Sequence, residues 1–360
     1  ERPMIHMELG SFQHEILDKR LRCVTSRARA VEADLHRNVI NFEVFGDDKP
    51  VRDYFPVAWQ IWFHPFDLKV KTEHDAGGGV GHRFVDQIGD LRKALPKLKK
   101  SACGADKAAS LQYREDLDAV FGDILPVRME GLSFSCYLTY YVVKLMGMES
   151  MLLAMCDYPD EFCLLLDRLS DDYLEYCEFC RDEELLSPSV GFEHVGQGSF
   201  AFNTTLKQEP PVELSDLWLH MNSQESVVLS PTMFDTMVFP YYKKIADRFG
   251  RLSYGCCEPV HGFWETSLSR FENLGKITVS PWCDQEYIGN ALRGRDIIFH
   301  RKPSPNYIGV NKDLDEDAFC AHINETLRWA RGCHLEITQR DVYTVHNDEQ
   351  KIRRYIALIR

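Results

Sequence analysis

The spacing of apolar positions changes several times along the chain. Glu15-Ile-Leu-Asp-Lys-Arg-Leu-Arg22 and Ala28-Arg-Ala-Val-Glu-Ala-Asp-Leu35 set apolar residues three and four apart with charges between them. That period predicts helices from residue 13 to about 45. Phe55-Pro-Val-Ala-Trp-Gln-Ile-Trp-Phe63 is rich in aromatic and β-branched residues and predicts a first strand, closed by His64-Pro65. Residues 84–121 read as mostly helical, 124–131 as a second strand and 132–186 as a run of helices. From residue 189 onward, strands and helices alternate. Strands are expected at 189–196, 217–222, the run into Cys256, the run into Cys283, 296–300 and 333–338. Helices are expected at 232–249, 263–274, 285–292, 316–331 and 348–359. About eight strands, each followed by helical sequence, is the count of a (β/α)8 TIM barrel. The expected division is an N-terminal helical segment, 1–50, and a barrel, 51–360.

Composition narrows the function classes. A hydrophobic fraction of 44% with 27% charged residues suits a globular enzyme. No apolar run approaches the roughly 18 residues of a membrane span, so no membrane partner is expected and the cytoplasm is the expected location. The net charge of -13 argues against nucleic acid, which calls for basic patches. The 12 cysteines are scattered rather than set in a compact framework, so reduced thiols are expected. Gly77-Gly-Gly-Val-Gly81 lacks the preceding strand and the lysine pair of a phosphate loop and reads as a loop. Cys177-Glu-Phe-Cys180 has redox spacing but falls inside helical sequence, which favours a structural role.

The chemistry gathers at strand ends. Arg251-Leu-Ser-Tyr-Gly-Cys-Cys-Glu-Pro259 stops at two cysteines, a glutamate and a proline, and Lys276-Ile-Thr-Val-Ser-Pro-Trp-Cys-Asp284 repeats the layout. Proline cannot continue a strand ladder, so the thiols fall at the rim where a parallel barrel keeps its active site. Thiolates select zinc, and a catalytic zinc needs three protein ligands and an open position. Polar or aromatic residues expected at the same mouth are Trp59, Trp62, His64, His194, Asn222, Gln224, Glu225, Trp282 and Arg340. Arg301-Lys302-Pro303 is a basic loop at another strand exit, suited to a phosphate or carboxylate or simply to solvent.

Asp216-Leu-Trp-Leu-His-Met-Asn-Ser-Gln-Glu-Ser-Val-Val-Leu-Ser-Pro231, running into Phe239-Pro-Tyr-Tyr-Lys-Lys-Ile-Ala-Asp247, resembles the uroporphyrinogen decarboxylase superfamily, as does the helix begun by Tyr158-Pro-Asp-Glu-Phe. The resemblance covers roughly residues 50 to 360. It implies a decarboxylase or a zinc-dependent methyltransferase that moves methyl groups to or from a corrinoid or a thiol. The decarboxylase branch grips substrate carboxylates with an early arginine segment, and the corresponding Trp62-Phe63-His64-Pro65-Phe66-Asp67 has no arginine. The methyltransferase branch carries His-x-Cys-Gly at a strand end; here Tyr254-Gly255-Cys256-Cys257 keeps the cysteine and replaces the histidine.

The expectation is a zinc-dependent methyltransferase that demethylates a small donor, a methoxylated aromatic or a methylamine, and passes the methyl group to a corrinoid (cobalamin) carried by a separate protein. The expected metal ligands are Cys256, Cys257, Cys283 and Glu336. Glu225, His194 and Tyr254 are the expected catalytic residues. Trp59, Trp62, His64, Asn222, Gln224, Trp282 and Arg340 are expected to bind substrate. A metal-independent decarboxylase or lyase and a non-catalytic corrinoid-partner protein are the alternatives, and the helical N-terminal layer offers a surface for a homodimer.

Overall fold

The computed structural model describes residues 2–74 and 81–360; the glycine run, apart from Gly81, lies outside them. Seven strands form the central sheet: β1 (Met4–Met7), β2 (Phe134–Cys136), β3 (Trp218–Met221), β4 (Arg251–Tyr254), β5 (Leu274–Val279), β6 (Ile298–Arg301) and β7 (His334–Gln339). Their spatial order is β1-β7-β6-β5-β4-β3-β2, and every pairing is parallel. The protein is therefore mixed α/β around a parallel sheet. Among the described residues the ring of strand pairing does not close: Phe55–Ala58 pairs with Val127–Glu130 in a separate two-stranded ladder.

Strands β3 to β7 lie where the apolar runs predict them. Elsewhere the expectations need correction. The predicted first strand breaks at Trp59, and its second half, Gln60–His64, pairs antiparallel with Ala102–Asp106, inside a stretch read as helical. β2 lies at the start of a stretch also read as helical, and β1 comes from a segment with no predicted strand. The expected helix over 232–249 is broken at Val238, between Pro231–Met237 and Phe239–Ala246.

The two faces of the sheet differ in chemistry because strand side chains alternate. One face is apolar: Leu219, Met221, Leu252, Tyr254, Ile277, Val279 and Phe299 are buried with residues of helices α1 (Pro159–Asp182) and α2 (Phe239–Ala246). The other face is polar, and the register sets His6 beside Thr338, Glu336 beside His300, Thr278 beside His300, and His220 beside Ser253. All of these side chains are buried.

What covers that polar face is the segment expected as a strand at 189–196. Among the described residues its only bridge is the isolated pair of His194 with Phe200. It runs against the sheet as an inserted loop because two glycines allow close approach: a Cβ on Gly196 would fall 2.1 Å from His220 Cγ, and one on Gly198 2.6 Å from Thr338 Cγ2. Both have positive φ, +92° and +75°, which glycine alone adopts without strain. The loop's polar groups are taken up by the sheet. Lys276 Nζ donates to the Phe200 carbonyl at 2.6 Å, Ser199 Oγ to Glu336 Oε2 at 3.0 Å, and His6 Nδ1 to the Gly198 carbonyl at 2.7 Å.

A second core joins the two ends of the chain. Ile5, Met7, Phe12 and Ile16 pack with Ile352, Tyr355 and Ile356 of the C-terminal helix α3 (Glu349–Ile359). Arg20 clamps Glu349 through two bonds of 2.9 Å. Asp348 caps α3 by accepting from the Gln350 and Lys351 amides, a contribution of about 1 kcal/mol.

Candidate functional site

The site lies at the C-terminal ends of β3, β4 and β5. After Tyr254 the chain leaves β4 through Gly255, whose φ of +107° turns the backbone over the sheet. Cys256, Cys257 and Glu258 follow in that turn. Glu258 is buried and fastens two strand exits together: its carboxylate accepts from the Ser223 amide at 3.1 Å and the Cys256 amide at 2.8 Å. Burial pushes its carboxyl up to about 7, against the pull of those hydrogen bonds.

A cleft of about 640 Å³ opens beside this turn, lined by Met148, Gln224, Glu225, Val227, Cys257, Glu258, Pro259 and Trp282. Trp282 is 72% exposed and forms an apolar wall. Glu225 is buried and accepts from Thr139 Oγ1 at 2.8 Å, in a cluster that also holds Ser223, Ser226 and Tyr242. Burial raises its carboxyl above the ordinary range. Neither glutamate is paired with a cation among the described residues, so the cleft floor holds two carboxyl groups without counter-charge.

The thiols stand at the edge of the cleft. The Cys256 thiol donates to the Cys257 sulfur across 3.7 Å. Lys302, buried at the exit of β6, places its ammonium 3.6 Å from Cys257 Sγ, 3.0 Å from Gln197 Oε1 and 3.2 Å from Asp341 Oδ2. The Cys256 thiol first, and then Lys302, draw the Cys257 thiol down to about 6, whereas Cys256 is pushed up. Arg340 shares Gln197 with Lys302, donating to Oε1 at 2.5 Å, and pairs with Glu8 at 2.6 Å.

Of the residues singled out from the sequence, Cys256, Cys257, Gln224, Glu225 and Trp282 come together here, with Asn222 behind them: its carbonyl accepts from Tyr242 at 2.9 Å. Arg340 lies across the Lys302–Gln197 network. Cys283 is buried, with its sulfur 3.6 Å from the Glu258 carbonyl and 3.6 Å from Ser280 Oγ. Glu336 lies in the polar interior, ion-paired with Lys276 at 3.0 Å. Tyr254 is buried in the apolar core with its ring 5.8 Å from Phe271. Trp59, Trp62 and His64 belong to the Gln60–His64 ladder and its approach and do not line the cleft; Trp62 packs on Gly104, where a Cβ would clash at 2.3 Å. His194 faces a different cavity. Lys302, Gln197, Asp341 and Glu8 are the partners that sequence reasoning did not join to the thiols, although Lys302 sits at a strand exit just as Arg340 does.

The donor set can be tested for zinc. Two thiolates at about 2.3 Å from a tetrahedral ion stand ~3.8 Å apart, and the Cys256–Cys257 separation matches that edge. Glu258, the next candidate in the turn, gives its two carboxylate oxygens to the Ser223 and Cys256 amides, which leaves two free donors, one short of a catalytic site. Cys283 is turned to the backbone, Glu336 is held by Lys276, and the Lys302 ammonium already lies against Cys257. No group of three His, Cys, Asp or Glu residues suited to a metal occurs among the described residues. A zinc with three protein ligands does not fit this arrangement.

Among solved structures, a methyltransferase from Methanosarcina mazei superposes with a TM-score of 0.52, covering 100% of this chain and 93% of its own, at 11% sequence identity. At that identity the similarity is one of fold. No family model and no curated protein sequence matches this chain. No helix among the described residues is long and apolar enough to cross a membrane.

Proposed function

We propose that the chain is a methyltransferase that removes a methyl group from a small methoxylated donor held in the cleft between Trp282 and Glu258. In this reading the seven-stranded sheet is the larger part of a (β/α)8 barrel and the cleft is on its rim. The observation that carries the proposal is that the buried Glu258 carboxyl lines one cleft with Cys257 and the exposed Trp282.

A methyl ether resists transfer because an alkoxide or phenolate is a poor leaving group. Glu258, with its carboxyl near 7, is matched to protonate that oxygen as it leaves. As the acceptor's electron pair forms a bond to the methyl carbon, the carbon–oxygen pair returns to oxygen and takes the Glu258 proton. The products are the demethylated alcohol or phenol, the methylated acceptor and the Glu258 carboxylate. Trp282 supplies the face against which an aromatic donor stacks.

The resemblance implies that the acceptor is a reduced corrinoid on a partner protein and that zinc assists. The first is part of the proposal. Zinc content is read by elemental analysis of the purified protein. The test is methyl transfer from methoxylated aromatics to a reduced corrinoid, followed by pH dependence. The acid must be protonated, so kcat falls as pH rises through about 7. Glu258→Gln lowers kcat by roughly a hundredfold or more and removes that limb. Wild-type turnover with a flat profile across this range, or full activity in Glu258→Gln, would remove Glu258 from the chemistry.

A further inference from the structure

His194, Lys49 and Arg52 line a cavity of about 290 Å³ that the thiols do not reach, with walls that include Tyr54, Phe192 and Phe200. The cavity lies between the N-terminal helix Ser26–Ile40, the chain at 49–56 and the inserted loop. Its volume is at the lower end of ligand pockets, roughly 300–1,000 Å³, which suits one aromatic ring with one substituent.

The charges around it are unequal. Arg52 is paired with Glu130 at 3.0 Å, and Arg37 with Asp34 at 2.5 Å. Lys49 is different: its ammonium donates to the Arg37 carbonyl at 2.6 Å and lies 3.5 Å from Asn41 Oδ1, with the charge of Asp47 acting on it from beyond ion-pair distance. His194 makes no side-chain hydrogen bond among the described residues; it is exposed and lines the cavity. The charges that act on its ring are those of His6, Arg52, Lys49 and Arg340, all basic. In a chain of net charge -13, a cavity lined by three cationic side chains, Arg37, Lys49 and Arg52, against one carboxylate, Asp34, and with aromatic walls selects an anion.

We propose that this cavity binds a small aromatic carboxylate, with Lys49 as its counter-charge, His194 as a hydrogen-bond partner, and Tyr54 and Phe192 against its ring. The site is separate from the methyl-transfer cleft and does not depend on that reading. The inserted loop connects them: His194 and Phe200 face this cavity, while Gln197 of the same loop holds Lys302 and Arg340.

The test is calorimetric titration of the whole chain with benzoate and with benzamide, its neutral isostere. Benzoate binds at one site per chain and benzamide at least tenfold more weakly, because a charge-assisted bond is lost. Lys49→Met and His194→Gln each weaken benzoate binding, the former by about tenfold or more. Trp282→Ala leaves it unchanged. His194→Gln and the benzamide comparison decide the matter even if Lys49→Met fails to fold. No saturable benzoate binding, equal binding of benzamide, or loss of binding in Trp282→Ala overturns the proposal.

Discussion

The Lys302 ammonium lies 3.6 Å from the sulfur of Cys257, although the two residues are 45 positions apart in the chain. Two strand exits, those of β4 and β6, thus bring a cation and a thiol into one contact at the rim. The Cys256 thiol first, and then this contact, favour the Cys257 thiolate, while burial and Asp341 on the other side of the lysine oppose them only in part. Alkylation by iodoacetamide should therefore select Cys257, with a rate that rises to a plateau above about pH 6. Lys302→Met moves that midpoint upward, toward the ordinary thiol value of about 8.5. A midpoint unchanged by the substitution would mean that the lysine does not act on the sulfur. Peptide mapping of the alkylated chain identifies which cysteine has reacted.

The metal question reduces to which variants matter. Cys256 and Cys257 have the separation of a zinc edge, while Cys283 and Glu336 point elsewhere. If purified protein carries zinc by elemental analysis, Cys256→Ala and Cys257→Ala lose it, and Cys283→Ala and Glu336→Gln retain it. Loss in Cys283→Ala or Glu336→Gln instead would require the strand ends to rearrange around the ion.

Lys276 and Glu336 form a buried ion pair, with both side chains nearly inaccessible. The lysine also holds the inserted loop through the Phe200 carbonyl. Removing one charge leaves the other buried and unpaired, at a cost of about 3–5 kcal/mol. Lys276→Met should therefore lower stability in urea by that order, and Lys276→Met combined with Glu336→Leu should recover part of it. A double variant no more stable than the single one would place the cost in the loop contact rather than in the stranded charge.

These cases show where the sequence was legible. The ends of β3, β4 and β5 could be read because an apolar run stopped at polar residues and proline, and those ends carry Gln224, Glu225, Cys256, Cys257 and Trp282. The direction of each side chain beyond a strand end could not be read. Cys283 follows Ser280-Pro281 and turns back onto the Glu258 carbonyl. Glu336 lies inside β7, in the interior layer beside His300, where Lys276 claims it. β2 has three residues, too few for a period to register. The inserted loop imitated a strand because Val190, Phe192 and Val195 are apolar, while the glycines that let it press on His220 and Thr338 give no periodic signal. Lys302 was visible as a basic residue after a strand, and its partner was fixed only by folding.

The acid limb of stability should carry the mark of the N-terminal segment. Glu349 at the start of α3 accepts two bonds from Arg20 and also meets Lys19. Arg20 first, and then Lys19, pull its carboxyl down to about 2, from an ordinary 4.5. The unfolded chain then takes up this proton near pH 4.5 while the folded chain resists until about 2, so unfolding absorbs a proton between those values and acid favours it. The contribution is complete above pH 4.5 and lost as pH falls through 2. Because the carboxylate is partly open to solvent, screening reduces it to roughly 1–2 kcal/mol. Glu349→Gln should lower the melting temperature at pH 6, and the gap to wild type should narrow steadily as pH falls from 4.5 toward 2. Equal gaps at pH 6 and pH 2.5 would mean that the loss is one of packing at the start of α3. Substituting Arg20 by methionine offers the reciprocal check: it should reproduce the pH 6 loss and, combined with Glu349→Gln, add little to it.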